Sequence, residues 1–208
     1  MLDDLLELTG SPEFDEYGTI DLAEARIAGD VLSLFLNVYV GGEEIQSELW
    51  ELECVTVLEH QLLLGGCSTV DVYYDHVLLW PYIRPRASVS FRGEVPDPLS
   101  IVGGLYQEHQ KLAAPWIPFG RFMNGDPVNL ISGRYGMLAD GPMPLVEGYL
   151  KVLQQFGIDA ALTEPKSAAY TNDHEAGITE VEVLILDPGK YVIAEKFNAT
   201  RLEESDVD

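Results

Sequence analysis

The sequence predicts a single α+β domain. Its antiparallel sheet comes from the N-terminal half and a C-terminal hairpin, and about two to three helices from the middle pack with it. Three observations carry this expectation. Leu32, Leu34, Leu36, Val38 and Val40 alternate with Ser33, Phe35, Asn37 and Tyr39, the period of two of a strand. Two later stretches, 97–113 and 144–156, place apolar residues at helical spacing between recognisable caps. Residues 178–186 and 191–198 then return to strand character around Asp187-Pro188-Gly189-Lys190, a strong turn signal.

Taken in order, residues 1–16 form an N-terminal segment that opens with a short helix over 1–8. Leu2, Leu5 and Leu6 share one side of it and Gly10 stops it. Residues 17–92 are sheet-forming: after the alternating strand, Gly41-Gly42-Glu43-Glu44 reads as a turn. A return strand over 45–58 makes a hairpin, and shorter strands follow at 61–64, 69–74 and 87–91. Residues 93–157 are helical and loop-rich, because nine of the twelve prolines fall between Pro81 and Pro144 and proline interrupts a ladder. The first helix there has Asp97 as N-cap, Pro98 at the first position and Leu99, Val102, Leu105, Tyr106, His109 and Leu112 at helical spacing. The second carries Leu145, Tyr149, Val152, Leu153 and Phe156 on one face and ends at Gly157. Residues 158–202 hold the C-terminal strands, and 203–208 are an acidic tail.

Composition sets the frame. A chain of 208 residues buries roughly 70% of its unfolded surface, enough for a core without disulfide or metal. No run approaches the ~20 apolar residues of a membrane-spanning helix, and Met1-Leu2-Asp3-Asp4 lacks a basic signal region. Two cysteines, Cys54 and Cys67, do not make a secreted disulfide framework. The expected location is therefore the cytoplasm.

Charge is the most unusual property. Twelve basic against 35 acidic residues give −23, and residues 1–83 alone hold −16 with Arg26 as their single base. Such a field repels phosphate backbones and anionic lipid, and attracts basic partners. Nucleic acid and membranes are thus excluded as expected partners. Solubility, or a salt-rich cytoplasm, explains the same number without any partner.

Catalytic and metal motifs are weak. Cys54, His60, Cys67 and His76 lie within 23 residues, but not in the close pairs of zinc sites. No Gly-x-Ser-x-Gly elbow occurs, and Ser132 beside Gly133 is ordinary loop chemistry. His109 shares an apolar helix face with Leu105 and Leu112, as a structural histidine would, and His174 reads as a loop residue. Gly133-Arg134-Tyr135-Gly136 is neither a P-loop nor a dinucleotide fingerprint, so neither a metal nor a cofactor is expected.

The informative constellation is arginine with aromatics. Arg84, Arg86, Arg92, Arg121 and Arg134, five of the seven arginines, gather into 51 residues among Trp80, Tyr82, Trp116, Phe119 and Tyr135. Arginine grips carboxylate and phosphate bidentately, and both residue types are enriched at interface hot spots. Arg84, Arg86, Arg121, Arg134, Trp80, Trp116 and Tyr135 are therefore the candidate binding residues. The alternative is that these arginines merely pair with neighbouring Asp and Glu. A second candidate surface is the hairpin carrying Glu43, Glu44, Glu48, Glu51, Glu53 and Glu59. If Glu51 and Glu53 point outward with Leu49 and Val55, that face is mixed.

These readings give two function classes. The leading one is a non-catalytic acidic interaction protein that binds a basic protein partner, as an inhibitor or immunity protein does. The other is a small-molecule anion-binding or enzymatic domain built on the arginine–aromatic segment 80–136. A housekeeping protein adapted to high salt is a third reading.

Overall fold

The alternating stretch becomes β2 (Val31–Val40), with Leu32, Leu34, Leu36 and Val38 buried and the residues between them partly exposed. The computed structural model describes residues 2–12, 14, 18–41, 46–95, 97–173 and 175–203. Glu43, Glu44, His174 and tail residues 204–208 lie outside the described residues. With 45% strand against 27% helix, the chain is α+β and dominated by sheet.

β2 pairs antiparallel with β1 (Thr19–Ala28) on one side and β3 (Gln46–Gln61) on the other. β3 pairs along its length with β12 (Lys190–Leu202), which turns back at Gly189 (φ 87°) to pair with β11 (Glu182–Asp187). Two short strands, β4 (Gly65–Cys67) and β5 (Asp71–Tyr73), occupy the two edges, giving the order β4-β1-β2-β3-β12-β11-β5, while β9 (Asn172–Asp173) and β10 (Ile178–Thr179) pair with each other as a separate antiparallel ladder. Laid flat, seven strands would hold those edges roughly 29 Å apart. Only residues 68–70 separate β4 from β5 in the chain, a link that reaches at most about 15 Å. The sheet must therefore curl until its edges meet. The Ser68 and Thr69 amides both donate to the Leu186 carbonyl of β11 (3.2 Å each), and Lys190 Nζ donates to the Gly66 carbonyl (2.6 Å). One broken strand thus serves both edges of a barrel-like sheet.

Side chains fill the interior of this barrel. Leu22, Leu34, Leu36, Trp50, Leu52, Cys54, Leu184, Val192 and Phe197 form its core, and α1 (Leu2–Thr9) inserts Leu5 into it. The outward residues of β3 are Leu49, Glu51, Glu53 and Val55, a face of mixed character.

A second core belongs to the stretch His76–Thr171, which forms its own compact unit; Met1–Asp75 and Asn172–Asp208 form the other. The chain leaves and re-enters the barrel unit at neighbouring points, because Asn172 Nδ2 donates to the Tyr74 carbonyl at 2.8 Å.

In the inserted unit, β6 (Arg86–Arg92) is the central strand of a three-stranded antiparallel sheet, between β7 (Tyr135–Pro142) and β8 (Asp159–Leu162). This corrects the placement of 87–91 in the large sheet. Those helices bury their faces against the small sheet through Leu105, Leu145, Tyr149 and Leu153, opposite Ala87, Val89 and Phe91. The proline count also hid β7. It is an edge strand with Pro142 at its last position, where proline is tolerated.

The remaining elements of this unit are helical. A short 3₁₀ turn, Val77–Leu79, leads into α2 (Trp80–Ile83). The long helix α3 (Pro98–Ala113) starts where Asp97 accepts from the Ser100 amide at 3.1 Å. The Asp126 side chain caps α4 (Pro127–Ser132) in the same way. The last helix, α5 (Met143–Gln155), ends before Gly157, at φ 72°. The two long helices approach closely at Gly148, where a Cβ would stand 2.7 Å from Leu112 Cδ1.

Candidate functional site

The candidate residues all belong to the inserted unit, and the fold separates them into groups. Arg86 opens β6 and Arg121 lies in the loop after α3; together with Phe122, Met123, Asn124 and Asp140 they line one cleft of about 270 Å³. Arg134 and Tyr135 stand at the other end of the β6–β7 ladder, where Arg92 pairs with Tyr135 while Arg86 pairs with Pro142. Six residues of strand put the two ends roughly 20 Å apart. Arg134 adopts φ 64° and meets Glu94 at 3.7 Å, and Tyr135 is 77% exposed. Trp116 stacks edge-on against His76 with ring centroids 4.8 Å apart. Trp80 begins α2, and the Arg84 amide closes that helix by donating to the Trp80 carbonyl at 3.1 Å.

The cleft owes its form to strand alternation. Ala87, Val89 and Phe91 point into the core, so Arg86, Ser88, Ser90 and Arg92 line the outward face of β6. Asp140 pairs across from Ser88, which brings its carboxylate to the Arg86 guanidinium: Nε donates to Oδ1 at 2.5 Å. The Asp140 carboxyl is held below its ordinary value, first by that hydrogen bond, with help from Ser88 and from the charges of Arg86 and Lys166; partial burial opposes them. Lys166 arrives through a second pairing. The Arg86 amide donates to its carbonyl (2.9 Å) and its own amide donates back (2.8 Å). Arg121 lies with its guanidinium carbon 5.6 Å from the Phe122 ring centroid.

Neither Asp140 nor Lys166 carries a signal in the sequence. They reach Arg86 across 54 and 80 positions, and only strand register brings them there.

The other titratable candidates have structural settings. Cys54 is fully buried in the barrel core, where burial pushes its thiol up to about 12. Cys67 is half-buried at the barrel seam, and burial raises its thiol as well. Among the described residues, no group of three or more His, Cys, Asp or Glu side chains is arranged to hold a metal ion. Ser132 Oγ donates to the Val128 carbonyl at 2.7 Å, and His76 Nδ1 accepts from the Leu78 amide at 3.3 Å. Among the described residues no helix is long and apolar enough to cross a membrane.

Charge divides by unit. His76–Thr171 holds eight acidic and eight basic residues and is neutral; the barrel unit holds 27 acidic and four basic residues, and with them the whole −23. One of those four bases is neutralised locally. Arg26 forms a two-pronged pair with Glu24 (2.5 and 2.6 Å) while lying over the Phe35 ring at 4.7 Å. Glu48 accepts from the Trp50 indole (3.0 Å) and meets Arg201 at 3.0 Å.

No protein-family model matches the chain, and no match is found among curated proteins or solved structures.

Proposed function

We propose that this chain is a non-catalytic interaction protein whose acidic barrel unit binds a basic protein partner, in the manner of an inhibitor or immunity protein. The observation that carries this reading is the segregation of charge: −23 on one unit beside a neutral one. General adaptation to salt acts on every surface in contact with solvent, so it would acidify both units alike. A field confined to one body is what steered association uses, raising encounter rates with a cationic partner. The outward residues of β3 suit such a partner. Glu51 and Glu53 supply charge, while Leu49 and Val55 supply apolar contact at their side. That mixture matches protein interfaces better than it matches a simple cation.

The test is capture of partners by the tagged full chain at low and at physiological salt. Mass spectrometry identifies them, and the salt dependence of association is then measured with each purified partner. The reading expects basic proteins whose association rate falls with salt and falls again in Glu51→Lys and Glu53→Lys variants. Partners of ordinary isoelectric point, or rates indifferent to salt and to charge reversal, would overturn it.

A further inference from the structure

Val31, the first residue of β2, pairs with Val55, and β3 continues past the end of the β1–β2 hairpin to Gln61. Between the hairpin tip and this extension lies a pocket of about 290 Å³. Ile27, Val31, Leu32 and Val57 give it apolar walls, and Asp30 and His60 line it as well. Ile27 stands 70% exposed there. Two backbone features set the shape. Gly29 turns the hairpin at φ 63°, and Thr56 holds φ 54°, a left-handed conformation that a β-branched residue rarely takes. The Thr56 amide donates to the Asp30 carbonyl at 3.1 Å, tying the strained residue to the tip. Strain of this kind persists where the surroundings enforce it, and it gathers at ligand clamps.

We propose that this pocket seats one lysine or arginine side chain of the basic partner, a proposal that rests on the acidic barrel unit binding a basic protein. The walls and the charge ask for an occupant with an apolar stem and a cationic end. Among the described residues that line the pocket, Asp30 supplies a carboxylate and none is lysine or arginine. Arg26, the base next to Ile27, is held by Glu24 over the Phe35 ring. Lysine and arginine lay their methylene stems along apolar surface and keep the charged head at a polar edge. An apolar side chain would fill the walls and leave Asp30 unused. A metal ion would find a single carboxylate against hydrocarbon, far short of the oxygen ligands it needs. The field of the barrel unit draws a cationic surface in, and a filled pocket of this kind turns the encounter into a specific contact.

Nuclear magnetic resonance of the full chain, titrated with a capped hexalysine peptide at low salt, tests this. Saturable shifts are expected at Gly29, Asp30, Val57 and His60, with intermolecular Overhauser contacts from lysine methylenes to the methyls of Ile27, Val31 and Val57. Asp30→Asn should weaken binding about twofold to fivefold, the worth of one exposed ion pair. Ile27→Ser should remove the methylene contacts, and His60→Lys should abolish the pocket shifts by placing a like charge inside. All three positions are exposed, and melting curves show that each variant is folded. Shifts confined to Glu51 and Glu53 would overturn the pocket and leave the acidic-surface reading standing. Absence of any interaction at low salt would overturn both. Variants that bind as the wild type does would also overturn the pocket.

Discussion

His109 Nδ1 lies 2.8 Å from the Tyr149 hydroxyl, joining α3 to α5 inside the core of the inserted unit, where both side chains are fully buried. The other ring nitrogen fixes the tautomer. Nε2 is 2.6 Å from the Ile117 carbonyl, which can only accept, so Nε2 carries the proton and Nδ1 accepts from the tyrosine. The neutral imidazole is thus fully satisfied, with one donor and one acceptor used.

Tyr149→Phe keeps the ring and removes the donor, leaving a buried acceptor without its hydrogen bond. The cost is that of an unsatisfied polar group, about 1–3 kcal/mol. Denaturant unfolding, followed by a probe in the inserted unit, measures it. A loss within experimental error would mean that water replaces the hydroxyl.

The same pair gives a pH dependence. Burial pushes the His109 pKa down, opposed by the hydrogen bond to Ile117. Above the ordinary histidine value of about 6.5 both folded and unfolded chains hold it neutral, and its contribution is full. As pH falls below that value, the unfolded chain takes up a proton that the buried ring refuses, so stability declines by at most about 1.4 kcal/mol per pH unit. Glu182 acts in the opposite sense, because burial raises its carboxyl and acidification relieves the cost. A His109→Gln variant isolates the histidine. Its stability deficit relative to the wild type should shrink between pH 7.5 and pH 5.5, and a constant deficit would contradict the assignment.

Two glycines in the helix pair should respond oppositely to alanine. At Gly148 a Cβ would meet Leu112 Cδ1 at 2.7 Å and Glu108 Cγ at 3.2 Å, whereas at Gly103 on α3 it would meet nothing within 4 Å. Gly103→Ala should stabilise by about 0.5–1 kcal/mol through helix propensity. Gly148→Ala gains the same propensity but must displace Leu112, an overpacking cost of about 1–3 kcal/mol that outweighs it. Thermal melts of the two variants side by side decide the matter.

Because the repelling charges belong to the barrel unit, salt should act selectively. Screening shortens the reach of carboxylate repulsion from tens of ångströms at low salt to about 8 Å at physiological ionic strength. Hydrogen exchange is expected to slow in β1, β2, β3 and β12 when sodium chloride is added, and to change little in α3 and α5. An equal response in both units would remove the link between charge segregation and stability.

The sequence exposed those parts of the fold that depend on near neighbours. The Asp97 cap, Pro98, Gly157 and the Asp187–Lys190 turn each act within a few residues; the two helices stand within a residue of their expected places, and the hairpin turn falls where expected while the outer ends of its strands lie four residues away. What it concealed depends on register between distant strands. Residues 87–91 have the period of any half-buried strand, and nothing local states which sheet they join. Arg86 and Arg121 were visible as a concentration of charge. Asp140, which lines the cleft with them, was not.

Residues 68–70 have a consequence for the company this protein keeps. An open antiparallel sheet ends in rows of unpaired amides and carbonyls, onto which a second chain can add a strand. Here the segment that pairs with Ile20–Leu22 of β1 crosses directly to Val183–Ile185 of β11, so part of each border of the sheet is engaged by the same few residues. The barrel is protected from strand-by-strand polymerisation by its own connectivity, before the mutual repulsion of acidic copies adds to that protection. Its weak point is a single seam. Local opening at Ser68 and Thr69, rather than global unfolding, would be the event that first exposes a sticky border.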